Sequence, residues 1–172
     1  MASATQTLGL IPWNILQASL GGHFEAHAHG LFRVSYILID RSGRPFGELR
    51  TQGSEAIFTA GDLEAGIERT SRNGYGMLAG EIELARATPL ADSAATLRIE
   101  CAGQVYEVHF RLLRSTAVVR ALDGGETARL SGGLAGRRYE AVFDPRLEGT
   151  LPVAVLVLHY LTALRRRIYL AG

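Results

Sequence analysis

The segment Leu151–Leu164, LPVAVLVLHYLTAL, constrains this chain more than any other. As a helix it is apolar around its whole circumference and not along one stripe, and such a helix has to be enclosed. Its 14 residues span about 21 Å, short of the ~30 Å hydrocarbon core of a bilayer. His159 lies inside it, which lipid penalises. Ile168, Tyr169 and Leu170 continue the apolar run past Arg165, Arg166 and Arg167, which makes a tail anchor the alternative. Burial within the domain is the preferred reading. Thr150 or Leu151 then caps the helix, and Pro152 falls in its first turn, where proline is tolerated. The three arginines emerge into water at the C-terminus, where the helix dipole favours positive charge.

What could enclose such a helix is legible upstream, where nearly everything reads at period two. Phe32, Val34, Tyr36 and Leu38 line one face of a strand ending at Asp40, RSGRP turns the chain, and FGELRT follows as the partner. Leu97, Ile99 and Cys101 alternate with Thr96, Arg98 and Glu100. After the AGQ turn, Tyr106, Val108, Phe110 and Leu112 alternate with Glu107, His109 and Arg111. AVVRALD and ETARLS join through Asp123, Gly124 and Gly125, a tight-turn signal. Tyr139, Ala141 and Phe143 alternate with Arg138, Glu140 and Val142. Less regular strands are expected at Leu63–Arg69 and Gly80–Ala87. This alternation marks antiparallel sheet with one buried face. The fold class it predicts is mainly β: an antiparallel β-barrel of about ten to twelve strands enclosing the hydrophobic C-terminal α-helix. No linker divides residues 1–172, so one domain is expected, with its core at about 30–168 and an N-terminal extension at 1–29.

Composition narrows the chemistry. All 18 basic residues are Arg, which excludes lysine Schiff-base chemistry and a P-loop. One cysteine excludes a disulfide framework and fits a reducing compartment. The N-terminus has no basic region followed by a long apolar run, so no secretory signal is read there and a cytoplasmic location is expected. A net charge of +1 argues against a nucleic-acid binder.

The YILIDRSGRPFGEL, GQVYEVHF and VVRALDGGETARL hairpins, with the ending RYEAVFDPRLEGTLPVAVLVLHYLTALRRR, resemble the tubby C-terminal-like superfamily, particularly its LURP-one-related and phospholipid-scramblase-like members. The resemblance covers roughly residues 30 to 168. It implies a barrel of about a dozen antiparallel strands closed around a hydrophobic C-terminal helix. Tubby proteins bind phosphoinositides through basic positions including lysine, and scramblases carry a cysteine-rich palmitoylated segment and a calcium-binding stretch. None of these maps onto this chain, so no functional residue is carried over.

Two constellations could carry chemistry. In HFEAHAHG, His23, Glu25, His27 and His29 project from one face if the segment is a strand, and they are suitable ligands for zinc or iron. Gly21, His27 and His29 resemble the opening of a cupin metal motif, but Arg33 and Val34 stand where its carboxylate belongs. Donors nearly 7 Å apart along a strand cannot all reach one ion. A metal is therefore not expected, and a solvated polar face is the plainer reading. The second constellation is arginine. Arg137, Arg138, Arg165, Arg166 and Arg167, with Arg41 and Arg44 elsewhere, could make a bidentate phosphate site where two groups converge; otherwise they are solvated charges. Cys101 reads as a core thiol, His159 as a buried histidine bonded to backbone, and Asp40, Asp62, Asp123 and Asp144 as turn residues. No catalytic residue and no cofactor is assigned.

The function expected is a non-enzymatic binding or scaffold domain whose partner is a phospholipid headgroup or a protein, with peripheral membrane contact. The alternatives are a small-ligand carrier with a barrel cavity, and a metal-dependent enzyme using His23, His27 and His29.

Overall fold

The computed structural model describes residues 4–30, 34–90, 95–133 and 135–170. Phe32 and Arg33 of the sequence reading, and the side chains of Ile168, Tyr169 and Leu170, lie outside this description. The chain opens with a helix, α1 (Ala4–Leu20). Twelve strands follow among the described residues: β1 (His23–His29), β2 (Ser35–Ile39), β3 (Pro45–Gln52), β4 (Glu55–Ala60), β5 (Leu63–Arg69), β6 (Tyr75–Ala79), β7 (Ile82–Pro89), β8 (Thr96–Cys101), β9 (Gln104–Arg111), β10 (Thr116–Ala121), β11 (Glu126–Gly132) and β12 (Arg138–Phe143). A second long helix, α2 (Thr150–Leu170), ends the chain. Each strand pairs antiparallel with its sequence neighbours, and β1 pairs with β12 to close an up-and-down barrel.

The expected alternation is realised. Leu97, Ile99 and Cys101 are buried on β8, Tyr106, Val108 and Phe110 on β9, and Tyr139, Ala141 and Phe143 on β12. Eight strands make an interior that side chains alone can fill, and twelve leave a wider bore. Here the bore holds α2. Every residue from Thr150 to Thr162 is buried, and α2 contacts β11 and β12 on one side of the barrel and β6, β7 and β8 on another. Small inward residues make room for the helix, among them Ala26, Ala56, Ala65, Ala87, Ala117 and Ala141. No helix among the described residues is long and apolar enough to cross a membrane.

Two features depart from the sequence reading. Residues 1–29 do not stand outside the core: β1 is a full barrel strand between β12 and β2, so the barrel begins at residue 23. Its polar outer row hid the inner row of Phe24 and Ala26, both buried. Before it, α1 lies against the end of the barrel where α2 starts. Leu10, Trp13, Gln17 and Leu20 form its buried face, and Trp13 sits 5.6 Å from the Phe58 ring. The cap of α2 also differs. Gln17 of α1 accepts the Leu151 N–H at 2.7 Å and donates to the carbonyls of Pro145 and Leu147. Asn14 accepts the Gly149 N–H at 3.0 Å. The Thr150 hydroxyl instead donates to the Asp144 carbonyl at 2.7 Å. Gly149 has φ +77°, and a Cβ there would run into the Cys101 sulfur. Glycine thus lets the chain turn tightly over β8 as it enters the bore.

Candidate anion-binding site

The histidine row lies on the outer face of β1, as strand geometry requires, but its members take separate partners. His23 Nε2 lies 3.1 Å from Glu140 Oε1 on β12. Glu25 receives both oxygens' contacts from the Arg138 guanidinium at 2.8 Å and lies 2.7 Å from His27 Nε2. The His23–Glu140 and Glu25–Arg138 contacts are diagonal cross-strand pairs, because Glu25 stands opposite Glu140 and His27 opposite Arg138 in the ladder, whereas His27 and Glu25 are neighbours on the same face of β1. The Arg138 hydrogen bond, helped by His27, holds the Glu25 carboxyl below its ordinary range. The result is a row of polar pairs joining β1 to β12. No three His, Cys, Asp or Glu side chains among the described residues are placed to share a metal ion. His29 is exposed at the end of its strand and joins neither pair.

The arginines divide differently. Arg138 is taken up by Glu25, and Arg167 donates to Asn73 Oδ1 at 2.9 Å across the barrel mouth. Arg41 and Arg44 lie in the β2–β3 turn at the opposite end of the barrel, where Arg44 stands 3.8 Å from Asp40. Arg137, Arg165 and Arg166 converge. They border one cleft of about 140 Å³ at the mouth through which α2 emerges, together with Tyr36, Gly136 and Thr162. Among the described residues none of the three has a carboxylate within ion-pair distance.

Backbone chemistry positions each of them. Arg137 follows the glycine-rich β11–β12 turn and leans toward the Ala28 carbonyl at 3.5 Å. Arg165 reaches the Gly133 carbonyl at 3.4 Å, and Gly136, with φ +63°, leaves space for its guanidinium that any Cβ would fill. Arg166 donates to Thr51 Oγ1 at 2.9 Å, and Thr51 in turn donates to the Val34 carbonyl. The floor is Tyr36, whose hydroxyl donates to the Gly136 carbonyl at 2.8 Å. Burial pushes its phenol well above the ordinary range, and nearby Tyr139 adds to this, while all three guanidiniums oppose it. The cleft therefore offers fixed positive charge and N–H donors, and among its described lining residues no His, Asp or Glu. Sequence reasoning paired Arg137 with the helix end but missed Tyr36 and Gly136. Tyr36 read as one more inward residue of a strand, and only the glycine before the Arg137–Arg138 pair hinted at close packing.

Cys101 and His159 take the structural roles expected of them. Burial pushes the Cys101 thiol up to about 12, and its sulfur faces the Gly149 carbonyl at 3.5 Å. His159 Nε2 meets the Ser54 carbonyl at 3.1 Å, and burial brings its pKa down to about 4. Asp40, Asp123 and Asp144 each accept N–H groups within their own turns, from Ser42 and Arg44, from Gly125 and from Arg146.

No family model matches the chain, and no curated protein matches it significantly. The X-ray structure of a protein from Arabidopsis thaliana superposes on 83% of this chain and 91% of its own, with a TM-score of 0.57 and 11% identity. At that identity the likeness is one of fold, and by fold this chain is similar to that plant protein.

Proposed function

We propose that this chain is a tubby-like barrel of the LURP-one-related kind, and that it binds a phosphate-bearing ligand without transforming it. The fold likeness supports the first part. The second rests on one observation: Arg137, Arg165 and Arg166 border a single cleft with no carboxylate partner among the described residues. Guanidinium binds phosphate oxygens bidentately, and three of them held by backbone carbonyls and a threonine are already oriented for it. The cleft, about 140 Å³, is below the 300–1,000 Å³ range of small-molecule pockets, so it suits a single charged group of a larger ligand. Arginine neither gives nor takes a proton at neutral pH, which favours recognition over catalysis. A carrier would need the interior that α2 fills, and of the histidines of the metal-enzyme reading His23 is engaged with Glu140 and His27 with Glu25. Titration calorimetry with inorganic pyrophosphate tests the proposal. Saturable binding is expected, weakened about ten-fold or more in Arg137→Gln with Arg165→Gln, since a hydrogen bond to a charged group contributes about 1.5–3 kcal/mol. No saturable heat, or equal binding by the double variant, refutes it.

A further inference from the structure

The chain has two asparagines, Asn14 and Asn73, and of these Asn73 is followed by glycine. Asn73 lies in the connection from β5 to β6, residues 70–74, which is held shut at its base. The Thr70 N–H donates to the Gly74 carbonyl at 3.0 Å. Arg69 clamps the outer part of the loop, its guanidinium donating to the Ser71 and Arg72 carbonyls at 2.9 and 2.6 Å. The packing favours glycine at 74: a Cβ there would come within 2.9 Å of Thr70 Oγ1 and 3.1 Å of the Ala87 carbonyl, and closer still to Ser71 Oγ.

Asn73 reaches from this loop to α2. Arg167 Nη1 lies 2.9 Å from its side chain, and a guanidinium only donates, so the acceptor is the amide oxygen Oδ1. A cation on Oδ1 draws electrons from Cγ and stabilises the oxyanion that forms when Cγ is attacked. The internal nucleophile within reach is the backbone nitrogen of Gly74, whose N–H has no hydrogen-bond acceptor among the described residues. Glycine also has no side chain to obstruct the approach. Two comparable positions lack this combination. Asn14 lies in α1, where the N–H of the β-branched Ile15 belongs to the helical ladder, and its Oδ1 accepts the Gly149 N–H at 3.0 Å. At Asp123–Gly124 the Gly124 N–H donates to the Ala121 carbonyl, and Asp123 Oδ1 accepts the Gly125 N–H, both at 2.9 Å.

We propose that Asn73 is a self-converting site, deamidated by its own chain with Arg167 as the activating group. The Gly74 nitrogen bonds to Asn73 Cγ and the Cγ–Nδ2 bond breaks. The Nδ2 group leaves as ammonia, carrying the proton that the Gly74 nitrogen gives up. Water then opens the cyclic imide at one or other carbonyl, which yields aspartate or isoaspartate. Nothing is oxidised or reduced. One negative charge is gained, so the net charge passes from +1 to zero. The Arg167 hydrogen bond becomes an ion pair between the β5–β6 connection and the end of α2. The change runs one way and lowers the positive charge of the barrel mouth, whether or not the cleft beside α2 binds phosphate.

Incubation of the full chain for days at neutral pH tests it, followed by digestion after arginine and mass spectrometry against a zero-time sample. Cleavage separates residues 1–33, 73–86 and 121–129, which carry Asn14, Asn73 and Asp123. The 73–86 peptide should acquire two products in which NH2 is replaced by OH, aspartyl and isoaspartyl, while the other two stay as they are. Asn73→Gln keeps an amide for Arg167 but needs a larger ring, and its peptide should not change. Arg167→Leu should slow the folded conversion about five-fold, short of the ~10²–10³ supplied by an enclosed oxyanion donor, because Arg167 is exposed to water. In urea strong enough to unfold both chains, parent and Arg167→Leu should convert at equal rates. An unconverted 73–86 peptide from the folded parent, or equal conversion at Asn14, overturns the site. Equal folded rates for parent and Arg167→Leu overturn Arg167 as the activating group, and so does a difference that persists in urea.

Discussion

His159 shows how a single residue couples the helix to pH. Its Nε2 meets the Ser54 carbonyl in the β3–β4 turn, and its ring lies edge-on to Tyr75 at 5.0 Å. The ring is neutral in the folded chain because burial lowers its pKa from 6.5 to about 4. Above pH 6.5 both folded and unfolded forms are neutral there, and the full contribution to stability is present. Between 6.5 and 4 the unfolded chain takes up a proton that the folded chain refuses, so stability falls with falling pH, by about 3 kcal/mol in total. His159→Gln retains a donor for the Ser54 carbonyl and does not titrate. Urea midpoints from neutral pH down to about pH 4 should fall less steeply in this variant than in the parent; parallel curves would remove His159 as the source. Leu156, fully buried midway along the enclosed stretch of α2, has no such dependence. Leu156→Ala should cost about 2–5 kcal/mol at any pH through lost transfer energy and a cavity, and an unchanged urea midpoint would contradict enclosure.

At the scale of elements, legibility followed how many environments each element meets. Strands β8, β9 and β12 have helix on one side and water on the other, so their residues alternate cleanly and were readable. Strand β7 was less regular because α1 packs on it and the β6–β7 ladder bulges between Met77 and Leu78, burying Leu84 and Ala85 in succession. The helix α1 escaped sequence reading altogether. Its buried residues Leu10, Trp13, Gln17 and Leu20 do keep helical spacing, but Leu8, Ile11 and Ile15 on the outer face are also apolar, and Gly9 and Pro12 interrupt the pattern. Its role explains the fully buried Gln17. The first N–H groups of α2 lie inside the protein, where an unmet donor is costly, and Gln17 meets one of them. Gln17→Ala should therefore destabilise the chain by about 1–3 kcal/mol. Ser19→Ala, which removes only a local exposed bond to Leu16, should stay within about 0.5 kcal/mol. Equal urea midpoints for the two variants would mean that α1 does not cap α2.

For the whole molecule, the charge arrangement was not legible in the sequence because it depends on closure. Arg72, Arg114, Arg137 and Arg165 are scattered over more than half the chain, and each local window around them reads as ordinary solvated charge. Only the up-and-down order, which returns every second turn to the same end, gathers them. Net charge gave the opposite impression, since +1 sums an end that carries Arg72, Arg114, Arg137 and Arg165, an opposite end whose turns set Asp40, Asp62, Glu81, Asp123, Asp144 and Glu148 against Arg41, Arg44 and Arg146, and the wall between them. A polarised molecule interacts with a charged surface through its favourable end, so the position of a charge matters as well as the sum. Cation-exchange chromatography near neutral pH can separate the two. Arg72→Gln, Arg114→Gln and Arg137→Gln together remove three charges from the basic end. Arg86→Gln, Arg98→Gln and Arg129→Gln together remove three from the barrel wall, where Arg86 and Arg129 pair with Glu83 and Glu126. Both triple variants lower the net charge equally. The end variant should elute at distinctly lower salt than the wall variant, and the gap should narrow as ionic strength shortens the range of the field. Co-elution of the two would show that the chain meets a charged surface through its average charge, and the axial polarity would then have no consequence for binding.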